Sequence, residues 1–140
     1  MLIISHRGNM EGPYVENHIG IIKRQMIDYP DPKLFFEVDV WWWRDVDHTD
    51  KFMIGHDKPM YRGVDIEFLT NPKIICHAKN LQTFQRLLQI QAHCFLHDKD
   101  EAALTSRGWI WKYPEILNQD GTLAGICTDY AKEFLFSLRQ

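Results

Sequence analysis

Three short polar signatures follow or interrupt apolar runs in this chain. They are His6-Arg7-Gly8 after Leu2-Ile3-Ile4-Ser5, Glu37-Val38-Asp39 inside the run 34–40, and His56-Asp57 after Phe52-Met53-Ile54-Gly55. Each presents side chains that bind metal, hold phosphate or move protons. Glu37 and Asp39 are two apart, so they share one face of a strand. Together they could hold a hard dication, Mg²⁺ or Ca²⁺. Arg7, with Lys79, suits phosphate oxygens, which a guanidinium can grip with two N–H groups. His6 and His56 suit proton transfer, because imidazole titrates near neutral pH.

These residues need a scaffold that gathers strand ends. Apolar runs at 2–5, 34–42, 73–76, 92–96, 108–111 and 125–127 read as strands, with 51–54 returning as a hairpin strand after a charged turn over 45–50. Helices are expected from about Val15 or Glu16 to Ile27, over Leu81–Ile90 with Asn80 as cap, over 100–105, and over Ala131–Leu138. The stretch 116–122 reads as a loop or a helical turn. Strand followed by helix, repeated, implies parallel strands with helices outside. Such folds place ligands at the carboxyl ends of the strands. The fold class expected is therefore α/β.

Bulk properties narrow the function. The chain has 140 residues, 45% of them hydrophobic and 25% charged, which suits one domain with a real core. Its net charge of −3 offers no basic field for nucleic acid or an anionic membrane. No apolar run reaches the roughly 18 residues of a membrane span. Cys76, Cys94 and Cys127 are odd in number and far apart, so they read as reduced, buried thiols. The chain enters its first strand without a basic leader, and a cytoplasmic location is expected.

His6-Arg7, Glu16-Asn17, Glu37-x-Asp39 and His56-Asp57, in that order, resemble the motifs of the glycerophosphodiester phosphodiesterases, in the phosphatidylinositol-phospholipase-C-like superfamily. Lys79 at a strand end and Thr128-Asp129-Tyr130 resemble further family positions. The resemblance implies a metal-dependent phosphodiester hydrolase on a TIM-type (β/α) barrel, acting on a glycerophosphodiester-like or sugar-phosphate diester. It also implies that His6 and His56 serve as general acid and base, in an order the sequence does not decide. A neighbouring hydroxyl of the substrate would attack first, giving a cyclic phosphate.

Two departures stand out. The family usually has a third acidic metal ligand two residues before the lysine, and His77 occupies that place. As a ligand, His77 would shift preference toward Mn²⁺, Co²⁺ or Zn²⁺; a hydrogen-bonded core histidine is the other reading. The chain is also short, because a closed eight-stranded (β/α) barrel takes about 250 residues. The expectation is thus a reduced or incomplete barrel with one hairpin excursion, its open edges covered by a partner subunit, as in a homo-oligomer, or by a loop.

Other residues complete the expected pocket. Trp111 is read as a stacking wall for a sugar or glycerol group. His97, Asp98 and Asp100 are read at the mouth, and Glu16, Asn17, Asp57 and Asp129 nearby. Each has a plainer reading: Glu16-Asn17 as a helix cap, Asp57 as a turn residue, Lys79 as a solvated lysine, Asp129 as a loop or helix anchor. His18, His48 and His93 read as bystanders. A non-catalytic module that binds a phosphate ligand is the alternative function.

Overall fold

A computed structural model describes residues 1–44, 50–97 and 102–138. The elements in chain order are β1 (Leu2–Ser5), α1 (Ile19–Asp28), β2 (Leu34–Arg44), β3 (Asp50–Ile54), β4 (Tyr61–Arg62), α2 (Ile66–Thr70), β5 (Ile74–Ala78), α3 (Leu81–Gln89), β6 (Cys94–Leu96), β7 (Ala103–Leu104), β8 (Ile110–Lys112), β9 (Glu115–Leu117), β10 (Leu123–Thr128) and α4 (Ala131–Leu138). The strands form a single ten-stranded mixed sheet.

Five strands run parallel in the order β10-β1-β2-β5-β6. The long β2 continues past β1 and pairs antiparallel with β3, which pairs antiparallel with β4. At the other end, β7, β8, β9 and β10 are joined by antiparallel pairings. The seam lies between β6, the outer parallel strand, and the start of this meander at β7. Beyond β7, the Ser106 N–H donates to Cys94 O at 2.8 Å, and Ser106 Oγ accepts from Cys94 N at 2.9 Å. The sheet is therefore a nearly closed barrel.

This corrects the expected fold. The molecule is not a parallel TIM-type (β/α) barrel ringed by helices. Its helices cover only the parallel half, and an antiparallel meander replaces the expected βα units after β6. The physical reason is length and turn chemistry. The stretch 97–122 is shorter than the roughly 30 residues of one βαβ unit. It carries the turn Tyr113-Pro114 and the loop 118–121, where Gly121 has φ 88° and its N–H donates to Asn118 O at 2.9 Å. Such turns join antiparallel neighbours. The helix expected over 100–105 is replaced by β7 where the chain is described; Asp98, Asp100 and the turn over 45–49 lie outside the described residues.

Strand alternation sorts the side chains into two cores. Ile3, Phe36, Val38, Ile74 and Cys76 face outward and bury Ile22, Leu69, Leu87 and Leu135 of the helices. Ile4, Ile75, Phe95, Trp111, Ile116 and Cys127 point inward and plug the barrel. All three cysteines are buried free thiols, none in a disulfide. Among the described residues, no helix is long and apolar enough to cross a membrane.

Candidate functional site

The interior plug fills only one end of the barrel. Continuing the same alternation toward the carboxyl ends of the parallel strands replaces apolar side chains with ionisable ones. On β2, Phe35 belongs to the plug, while Glu37 and Asp39 follow on the same face, 2% and 1% exposed. On β5, Ile75 is followed by His77, paired in register with Asp39. On β6, Phe95 is followed by His97. The floor of the site is therefore the top of the barrel's own core.

The turn after β1 brings in two more groups. Arg7 and Gly8 adopt positive φ, 55° and 65°. A Cβ at Gly8 would collide with the Ile22 side chain, so only glycine fits between this turn and α1. The Arg7 N–H then donates to Glu37 Oε2 at 3.0 Å, and its carbonyl accepts from Asn17 N at 2.7 Å. Asn17, itself at φ 55°, donates to Asp39 Oδ2 at 3.0 Å and accepts from Asp39 N at 2.9 Å. This left-handed residue ends the Pro13–Val15 turn, and α1 starts at Ile19 with His18 as its cap rather than at Val15 or Glu16.

Both candidate proton-transfer histidines are held at Nδ1 by a carboxylate. His6 Nδ1 lies 2.9 Å from Asp129 Oδ1, and Asn9 donates to the same oxygen at 2.7 Å. That leaves His6 Nε2 facing Glu37 Oε2 at 3.9 Å. His56 Nδ1 lies 2.8 Å from Asp57 Oδ1, and Asp57 is almost fully solvated. His56 is brought over by the hairpin: Gly55 donates to Asp39 O at 3.1 Å and accepts from the Trp41 indole at 2.7 Å.

His77 Nδ1 lies 3.0 Å from Asp39 Oδ1 and 3.9 Å from Glu37 Oε1. One ligand atom from each of these three residues can be chosen with all three within 4.8 Å of one another. Two cations flank them. Arg7 Nε stands 3.6 Å from Asp39 Oδ2, with Glu16 3.4 Å from the other side of the guanidinium, and Lys79 Nζ stands 3.8 Å from Asp39 Oδ1. Lys79 is still in the ladder, donating its N–H to Val40 O at 3.0 Å, so its side chain is aimed by β5.

Burial, and then the charge of Asp39, push the Glu37 carboxyl well above its ordinary range. Burial opposes ionisation of Asp39 too, but hydrogen bonds from His77 and Asn17 outweigh it and hold Asp39 low. Burial lowers His77 in spite of its bond to Asp39, which keeps the imidazole neutral. Asp129 is held low because its bonds to Asn9 and His6 outweigh burial.

His6, Arg7, Glu37, Asp39, His56 and His77 meet around one cavity of about 230 Å³, completed by His97, Trp111 and Tyr113. Lys79, Asn17, Glu16 and Asp129 bond or pair with its walls. Trp111 is placed differently from expectation. It is 4% exposed and stacked on Phe95, ring centres 4.2 Å apart, so it is floor and not an open wall. Tyr113, half exposed, takes the wall position with its ring 4.9 Å from that of His6. Sequence reading passed over Tyr113, which stands in the turn just past β8, two residues from Trp111. It also passed over Asn9, for which the sequence holds no signal. A larger groove of about 530 Å³ lies behind Asp129, lined by Glu11, Glu16 and Glu133 but by no imidazole. Compared with family models, curated proteins and solved structures, the chain matches none.

Proposed function

We propose that the protein is a divalent-metal-dependent phosphodiester hydrolase acting on a small glycerophosphodiester-like or sugar-phosphate diester. The observation that carries this reading is convergence. Two buried carboxylates, four imidazoles and an arginine, drawn from stretches as distant as His6 and His97, face one cavity. The order of the motifs, which resembles the glycerophosphodiester phosphodiesterases, supports it independently.

Arg7 and Lys79 bind the phosphoryl oxygens; both already sit beside Asp39 and need only shift toward an incoming anion. One histidine, His6 or His56, takes the proton of the attacking hydroxyl at Nε2, and the other gives a proton to the departing alkoxide. Their carboxylate partners, Asp129 and Asp57, fix Nδ1 as the N–H end and leave Nε2 toward the cavity. Glu37, Asp39 and His77 would hold the dication, whose chemistry is to neutralise phosphoryl charge and acidify the attacking hydroxyl. Tyr113 orients the alcohol part of the substrate against the His6 ring. A cavity of this size admits one diester with a small alcohol.

The test is hydrolysis of a panel of glycerophosphodiesters and a chromogenic diester, with and without chelator. Activity should vanish on chelation. His6→Ala and His56→Ala should each lower kcat by about 100-fold or more, with unchanged circular dichroism. Full turnover in both variants would refute the assignment. Calorimetric binding of the diesters without turnover under any dication would favour the second reading, a phosphate-ligand module; the Arg7 and Lys79 pair supports binding under either reading.

The protein so proposed is cytoplasmic, with a second copy covering the edge at β4. That strand has only two residues and, among the described residues, is paired on one side. Sedimentation at micromolar concentration tests the second copy.

A further inference from the structure

We infer that the cavity selects a borderline transition-metal dication, of the Mn²⁺, Co²⁺ or Zn²⁺ kind, over Mg²⁺ and Ca²⁺, and that the His77 imidazole decides the choice. The inference rests on the reading of this cavity as a dication site, though not on any hydrolysis there.

The carboxylate oxygens are sorted by their partners. Glu37 Oε2 accepts from the Arg7 N–H, and Asp39 Oδ2 accepts from Asn17. The other two, Glu37 Oε1 and Asp39 Oδ1, are the ones nearest His77 Nδ1, at 3.9 and 3.0 Å, and the Nδ1 proton that Asp39 Oδ1 accepts before an ion binds moves to Nε2 when Nδ1 ligates an ion. Both separations fall in the span of about 3–4.4 Å that ligands keep when each is about 2.0–2.2 Å from one ion. Outer partners of this kind orient metal ligands. The nitrogen is as fixed as the oxygens. The His77 ring stacks on Phe95, centres 4.8 Å apart and planes 9° from parallel, and Phe95 stacks in turn on Trp111.

Nitrogen is what distinguishes the site. Mg²⁺ and Ca²⁺ take oxygen ligands, whereas imidazole suits first-row transition ions. Here His77 stands against both carboxylates, and His6, His56 and His97 line the same cavity, which gathers four of the chain's seven histidines. Lys79 Nζ, 3.8 Å from Asp39 Oδ1, is the internal cation that an incoming ion has to displace.

The experiment is calorimetric titration of the chelator-treated 140-residue chain with Co²⁺, Zn²⁺, Mn²⁺, Mg²⁺ and Ca²⁺, with the visible spectrum of bound Co²⁺ as a second readout. One Co²⁺ or Zn²⁺ should bind about 100-fold more tightly than Mg²⁺ or Ca²⁺. His77→Glu should shrink that ratio at least about 10-fold, weakening Co²⁺ while strengthening Mg²⁺ or Ca²⁺, and should change the Co²⁺ spectrum. His77→Gln, matched to the parent by circular dichroism, should lose about 10-fold in Co²⁺ affinity. Equal affinity for all the ions, no binding, or an unchanged ratio in His77→Glu overturns the inference. So does Co²⁺ binding that survives Glu37→Gln with Asp39→Asn, since that would be capture by surface histidines. Selective binding without diester hydrolysis leaves this inference standing and refutes the enzyme. Hydrolysis supported best by Mg²⁺ does the reverse.

Discussion

Asn17 is buried in the left-handed region of backbone space, and both ends of its amide are spent on Asp39. Asparagine tolerates that conformation better than most residues. Its amide carries donor and acceptor on separate atoms, so it can donate to a carboxylate and accept from the same residue's N–H at once. Removing it in Asn17→Ala leaves the buried Asp39 N–H without its acceptor and Asp39 Oδ2 with only the Arg7 guanidinium, 3.6 Å away. The expected loss is about 1–3 kcal/mol of unfolding free energy, read by urea titration, together with weaker dication binding. An Asn17→Ala protein as stable as the parent would show that water replaces the amide, and the clamp would be dispensable. The sequence marks Glu16-Asn17 as candidate site residues only through order and resemblance. What it hides is the φ angle and the pairing, both set by the Arg7 carbonyl receiving the Asn17 N–H. Glu37 and Asp39 were easier to read. Alternation along an apolar strand forces two acids two apart onto one face, and uncompensated acids are rarely buried.

The parallel strands and their helices were legible because period and composition agree: β1, β2, β5 and β10 are apolar runs, and Asn80 caps α3 as expected, its Oδ1 accepting from Thr83 N at 2.8 Å. The meander was not, because β7, β8 and β9 are two or three residues long and runs so short carry no periodicity. The seam that this meander closes depends on a histidine read as a bystander. His93 is buried just before β6, its Nε2 2.8 Å from Thr105 Oγ1, and Thr105 Oγ1 also accepts from Trp109 N at 3.1 Å. Burial, aided by the Arg107 charge, lowers the His93 pKa to about 4. In the unfolded chain it titrates near 6.5. Between those values the unfolded chain binds a proton that the folded chain refuses. This contribution to stability is therefore complete above about pH 6.5, falls as pH drops, and levels off near 4, amounting to about 3 kcal/mol in all. Urea midpoints measured between pH 7.5 and 4 should fall accordingly, and His93→Gln should flatten the slope. An equal slope in the variant would place the acid sensitivity elsewhere.

A chain of 140 residues nearly closes a barrel here because strands joined by hairpins need far fewer residues than strands joined by helices. One column of rings then serves both stability and the site. Trp111 lies on Phe95 and Phe95 on His77, from β8 through β6 to β5. Phe95 is fully buried, touches no substrate in the proposed reaction, and sets the height and tilt of the His77 ring. Phe95→Ala should cost about 3–5 kcal/mol, the range for emptying a buried aromatic site, and should also loosen His77. Phe95→Leu separates the two effects. It restores most of the volume and therefore most of the stability, but it supplies no flat face for the imidazole. The expectation is a Phe95→Leu protein that unfolds within about 1.5 kcal/mol of the parent yet binds Co²⁺ more weakly. If Phe95→Leu binds Co²⁺ as tightly as the parent, the stack is packing alone, and the carboxylate pair fixes His77 unaided.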